Sequence, residues 1–147
     1  TVKGRGASAH QSVGGGEPLL LIPLGACLTP LDLPDPPAFM DEQQKLMLRL
    51  LREHLVLGAE SAWKPYLDTL PREFPTLPLW FTEAERRMLK GTSVDTLLAG
   101  SHIANRADLE ELEAWCKSRP EVFPPGKCPS VQDLLWAASV VASRAFD

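Results

Sequence analysis

Three short blocks hold the residue types that could do chemistry. Lys3-Gly4-Arg5-Gly6-Ala7 sets glycine on both sides of one side chain. Such a Gly-x-Gly loop lets backbone come close to a small ligand and offer it N–H and C=O groups. At the far end, Ser143-Arg144-Ala145-Phe146 puts a hydroxyl, a guanidinium and an aromatic ring in one stretch. Taken without context, the same residues read as a surface hydroxyl, a cation favoured by a helix C-terminus, and a core ring. The middle block, Trp63-Lys64-Pro65-Tyr66-Leu67-Asp68-Thr69-Leu70-Pro71, is rich in aromatics rather than in catalytic groups. Trp63, Tyr66, Phe74 and Trp80 bring large apolar area and read as core, while Glu60, Lys64, Asp68 and Glu73 read as surface charge.

Other chemistries are disfavoured by spacing. No GxxG continuation leads from Gly6 into a helix, and no Gly-Lys-Ser/Thr follows, so dinucleotide and P-loop sites are not indicated. Cys27, Cys116 and Cys128 are an odd set without CxxC spacing, so neither a disulfide framework nor a metal site is expected, and a reducing compartment suits them. Each reads as a small hydrophobe. His10, His54 and His102 lie in separate elements with no spacing that implies a triad. Asp32 with Asp35, and Glu110 with Glu111, do not mark a glycosidase pair.

The elements that must position these blocks change character along the chain. Residues 7–10 can be extended, Gly14-Gly15-Gly16 must turn, and residues 18–22 form a β-compatible run, which together predict an antiparallel pair. Three prolines within residues 32–37 predict an exposed connector. Over residues 41–57, Met47, Leu50, Leu51 and Leu55 recur at helical spacing and Gly58 is placed to end the helix. A short helix over residues 62–70 tolerates Pro65 in its first turn and is closed by Pro71. Thr82-Glu83-Ala84-Glu85 has the form of a capping box. Leu109, Leu112 and Cys116 make another stripe, with Glu110, Glu111 and Glu113 on solvated faces. After the proline-rich loop of residues 120–129, Ser130 caps a last helix with a broad apolar stripe through Val131, Leu134, Leu135, Ala138, Val141, Ala142 and Ala145. Strands followed by helices predict an α+β fold. A lone pair of strands so short is marginal and calls for partners that the sequence does not supply.

The chain has 147 residues, 44% hydrophobic and 23% charged, with a formal charge of -4, which is ordinary for one globular domain. This balance gives no basic footprint for nucleic acid. The run at residues 19–22 is far too short to cross a bilayer. Thr1-Val2-Lys3-Gly4 has no initiator methionine and no signal-peptide pattern, so an internal segment of a longer intracellular chain is expected.

In their order the blocks resemble a known family. The first is followed by Ala7-Ser8-Ala9, Gly16-Glu17 and Leu19-Leu20-Leu21-Ile22-Pro23, and the middle one by Phe74, Pro78-Leu79-Trp80-Phe81, Glu83 and Leu89-Lys90-Gly91-Thr92. This pattern is similar to the SET-domain protein methyltransferases of the Rubisco large-subunit methyltransferase group. The resemblance implies SET strands over residues 1–40, a helical insertion over 41–129, and a last helix over 130–147 that leads into a further SET segment. It implies that Lys3, Gly4, Arg5 and Gly6 contact S-adenosylmethionine, and that Ser143, Arg144 and Phe146 line a channel for the lysine, or histidine, of a protein substrate. The implied activity is methyl transfer to that side chain, by a monomer, in plastid, nucleus or cytoplasm. Ala7 stands where a larger aliphatic residue is usual, and Lys3 where some relatives have an acid. The only tyrosine is Tyr66 and no Asn-His dipeptide occurs, so the family's catalytic groups have no counterparts here and the chain alone is expected to be inactive. A second reading has no catalysis: a small helical interaction domain whose inter-helix grooves take a partner peptide.

Overall fold

The first long helix is fixed by its own cap. Asp41 Oδ1 accepts from Gln44 N–H at 2.8 Å, and Gln44 Oε1 accepts from Asp41 N–H at 2.9 Å, a closed capping box that starts α1 at Glu42–Leu51. Gln44, Met47, Leu48 and Leu51 then fall at i, i+3, i+4 and i+7 and are buried together, as an amphipathic helix requires. The helix runs on as a π-helical turn over Arg52–Leu57, and Gly58, at φ 54°, ends it. A 3-10 turn over Gly58–Glu60 leads to α2, a single turn at Lys64–Leu67 with Pro65 in its first positions. The computed structural model describes residues 8–33, 35–99 and 106–145.

Helix α3, Glu83–Met88, begins with the expected box: Thr82 Oγ1 accepts from Glu85 N–H, and the Glu85 carboxylate accepts from Thr82 N–H at 2.8 Å. Helix α4, Ser93–Ala99, was not foreseen. Its signal is the related run Thr92-Ser93-Val94-Asp95, in which Thr92 Oγ1 accepts from Asp95 N–H at 3.4 Å and the Asp95 carboxylate accepts from Gly91 N–H at 3.0 Å, one residue ahead of a capping box's donor. Helix α5, Arg106–Lys117, buries the expected Leu109, Leu112 and Cys116. Helix α6, Val131–Arg144, starts from a Ser130–Asp133 box and buries Leu134, Ala137, Ala138 and Val141 at i, i+3, i+4 and i+7.

The core is made where α6 packs against α1 on one side and α5 on the other. Ala137, Ala138 and Ser139 are all fully buried, and such small side chains let neighbouring helices come close. Phe123 fills the remaining space at 1% exposure. Leu31 N–H donates to Lys45 O and Leu33 is buried, so the chain is anchored here, while in the connector expected over residues 32–37 Asp32, Asp35 and Pro36 are exposed. Asp35 then turns the chain at φ 51°, a region that aspartate tolerates better than most residues.

The expected antiparallel pair is absent. Among the described residues there is no strand. The Gly14-Gly15-Gly16 turn does form, closed by Glu17 N–H to Gly14 O and by Gly14 N–H to the Glu17 carboxylate at 2.9 Å, yet no ladder leaves it on either side. Both bonds are local, whereas a ladder needs a second run opposite residues 18–22. The α+β expectation is therefore corrected to an all-helical architecture for the described residues. With it falls the SET-domain likeness in fold, because the SET fold is rich in β-structure.

Candidate functional site

An apolar hollow of about 410 Å³ lies between α1, α2, α6 and the segment that precedes them. Its floor is Leu50 from α1 with Val140 and Val141 from α6. Leu46, Trp63 and Tyr66 line it as well, as do Ile22, Ala26, Cys27 and Leu28 from the preceding segment and Arg144 with Ala145 from the end of α6. A volume of this order is at the small end of ligand-sized clefts.

The aromatic wall is held from behind. Ser61 is buried, and its Oγ donates to Glu53 Oε2 at 2.6 Å while accepting from Trp63 N–H at 3.0 Å. Glu53, itself 3% exposed, receives Arg49 Nε–H at 3.0 Å on its other oxygen. The buried carboxylate is thus paired and hydrogen-bonded, as burial of a charge demands. Trp63 in turn meets Tyr66 edge-on, with ring centroids 6.4 Å apart. The aromatics read as core divide accordingly: Phe74 is buried, Trp63 and Trp80 are half-buried, and Tyr66 stands at the rim, 38% exposed. Trp80 is fixed to α6 by its Nε1–H, which donates to Ser139 Oγ at 2.7 Å.

The polar end is the last turn of α6. Arg144 sits over the Phe74 ring, 5.6 Å from its centroid, and donates from one Nη to Ser143 Oγ at 2.6 Å. Ser143 Oγ–H is directed back to the carbonyls of Ser139 and Val140. Its hydroxyl therefore steadies Arg144 and the helix end instead of facing the groove. Among the described residues no carboxylate pairs with Arg144. Phe146 lies outside the described residues, as do Lys3, Gly4, Arg5 and Gly6.

A second hollow of about 340 Å³ is lined by His54, Asp68, Arg72, Asp133 and Trp136 among others. Its polar groups are largely spent internally. Asp133 accepts from Ser130, Trp136 Nε1–H donates to Pro71 O at 2.8 Å, and His54 lies against Trp136 with ring centroids 5.0 Å apart. Among the described residues no three His, Cys, Asp or Glu side chains gather as metal ligands.

The thiols differ in setting. Cys27 is exposed at the groove wall, while Cys116 is buried under α6. Burial first, and the neighbouring Cys128 and Glu113 next, push the Cys116 thiol up to about 12, so it behaves as an inert core group.

Comparison with known proteins gives one distant likeness. The chain is 31% identical over 94 residues to the [fructose-bisphosphate aldolase]-lysine N-methyltransferase, chloroplastic, of Arabidopsis thaliana, covering 59% of this chain and 18% of that protein. No protein-family model matches the chain, and no solved structure does. A match over so small a share of the relative does not carry its activity across, and the lack of strand among the described residues overturns the fold, activity and cofactor that the resemblance implied. Methyl transfer, an S-adenosylmethionine pocket built on SET strands, and a protein lysine as substrate are all withdrawn, since the described residues offer no sheet on which that pocket could stand. The geometry that remains is an apolar groove between helices with a guanidinium at its mouth.

Proposed function

We propose that this chain is a helical protein-interaction module whose α1–α2–α6 groove docks a partner segment. The segment presents one or two apolar anchors to Leu50, Val140 and Val141 and a carboxylate to Arg144. The observation that carries this reading is the pairing of an apolar floor with a guanidinium that has no carboxylate of its own among the described residues. Helix-in-groove recognition works in this way: buried side chains supply affinity, and a charge at the rim sets orientation. Tyr66 suits the rim because one end of its side chain is apolar and the other wet. Of the residues first singled out for substrate contact, Arg144 meets the partner and Ser143 positions it.

The test uses a synthetic amphipathic helical peptide with two leucines at i and i+4 and a terminal glutamate, titrated against the chain by calorimetry. Tyr66→Ala should weaken binding about tenfold, the loss of roughly 1.4 kcal/mol of packing. Arg144→Gln should weaken it about threefold to fivefold, since an exposed ion pair is worth up to roughly 1 kcal/mol. That second loss should vanish when the peptide carries glutamine instead. Equal affinity of both peptides for wild type and Arg144→Gln overturns the assignment.

A further inference from the structure

At one edge of the groove, where Ile22 belongs to its lining, the described residues hold an exposed apolar run. Leu19, Leu20 and Leu21 are 78%, 76% and 91% exposed, and Ile22 is 55% exposed. A single exposed leucine is unremarkable, but a contiguous run marks a contact surface. Among the described residues no backbone hydrogen bond is made to or from residues 19–22. Helix satisfies its own donors and acceptors, whereas these stand open in irregular chain between the Gly15-Gly16 turn and the 3-10 turn Leu24–Ala26.

Prolines set the limits of this run. Pro18 and Pro23 lack N–H groups, and Pro23 is itself extended at φ -64° and ψ 142°. A residue before proline is also driven to extended backbone, which applies to Ile22. The stretch is thereby kept from joining a helix and confined to a short donor set. In extended form, Leu19 and Leu21 would point to one face and Leu20 and Ile22 to the other. Apolar residues on both faces belong to a strand covered on both sides, not to one with a wet face.

We propose that residues 19–22 are a strand donor that adds to the open edge of a partner protein's β-sheet, bound through backbone hydrogen bonds and buried on both faces. The proposal goes beyond the groove reading and stands if that reading fails. A second copy of this chain is the poorer occupant, because two such segments would make an isolated two-stranded ladder with both apolar faces still wet. A lipid surface is poorer too: the nearest charged residues on either side, Glu17 and Asp32, are acidic, and anionic headgroups repel them.

The experiment uses the full chain and, as probe, a designed sheet protein with helices on both faces and one uncovered edge strand. The control is the same protein with that edge closed by proline. Titration is followed by amide hydrogen exchange at residues 19–22. Binding to the open-edge probe alone is expected, with at least tenfold slower exchange at those amides. Leu21→Pro should lose at least tenfold in affinity, while Leu21→Val keeps it and Tyr66→Ala leaves it unchanged. Because the run lies outside the core, Leu21→Pro should retain the wild-type circular dichroism spectrum. Equal binding to open and closed probes, no slowing of exchange, or undiminished binding by Leu21→Pro overturns the proposal. So does self-association through this segment in sedimentation, or its capture by phosphatidylserine vesicles in place of the sheet.

Discussion

Replacing Ser61 by alanine should cost far more than loss of one surface hydroxyl would suggest, because this side chain serves a buried carboxylate and a partly buried backbone N–H at once. Its Oγ donates to Glu53 Oε2 and accepts from Trp63 N–H. Without it, one oxygen of a carboxylate that is 3% exposed loses its donor, and a backbone N–H loses its acceptor. An orphaned buried polar group costs about 1–3 kcal/mol, more when charged, so the pair should amount to about 3 kcal/mol. That is a large share of the roughly 5–15 kcal/mol that holds a domain. For a chain of this size it corresponds to a melting temperature about 9 °C lower. Urea unfolding followed at 222 nm would read the free energy, with the m-value unchanged. A second variant separates the charge from general packing: Glu53→Met in the Ser61→Ala background removes the stranded carboxylate, and Arg49 is exposed enough to be solvated. The double variant should recover at least about 1 kcal/mol relative to Ser61→Ala alone. A Ser61→Ala loss below about 0.5 kcal/mol, or no recovery in the double variant, would refute the claim that Glu53 depends on this hydroxyl. Since Trp63 is seated by the same bond, Ser61→Ala should also weaken docking in the groove.

The thiols should separate cleanly in labelling. At pH 8 a maleimide should modify exposed Cys27 first and leave Cys116 unmodified until the chain unfolds, with the count read by mass spectrometry; early loss of Cys116 thiol would contradict its burial. Acid should act on α3 before the core. Hydrogen bonds from the Thr82 hydroxyl and backbone hold the Glu85 carboxyl below its usual 4.5, so this cap contributes fully above that value and is lost as pH falls through the lower folded-state value. Protection of the amides in Glu83–Met88, relative to their intrinsic exchange, should therefore fall as pH drops below 4.5 in the wild type, and should already be reduced at pH 7 in Thr82→Ala.

Helices were legible wherever their ends were satisfied by side chains close in sequence. Thr82 with Glu85 and Ser130 at the head of α6 sit where their spacing placed them, and Leu109, Leu112 and Cys116 are buried as their stripe required. The strand pair failed for the opposite reason. Leu19 to Ile22 have strand-like composition, but a ladder takes its hydrogen bonds from a partner elsewhere, and composition cannot report that none is present. The groove was illegible for a related reason. Leu46 and Leu50 look like any helix stripe, and only the packing of α6 brings Val140, Val141 and Arg144 beside them. Trp63 and Tyr66 were marked as large apolar residues, yet rim and core positions carry the same letters.

The open groove follows from unequal element lengths. Helix α6 has 14 residues and α1 has 10, each with an apolar stripe along its length, while α2, which lines the hollow beside them through Tyr66, has only 4. At about 1.5 Å of rise per residue, α2 spans about 6 Å against about 21 Å for α6. The chain from Pro71 onward meets α6 elsewhere, through Trp136 Nε1–H to Pro71 O and Trp80 Nε1–H to Ser139 Oγ, and the Leu24–Ala26 turn brings Ala26, with Cys27 after it, to the edge of the hollow. The apolar floor is therefore not a packing fault inside the core, which is filled at Phe123 and Ala137, but a place where the stripe of α6 outruns the elements that meet it. Arg144 is the residue at which that stripe ends, so the transition from apolar floor to cationic mouth is set by the helix terminus itself.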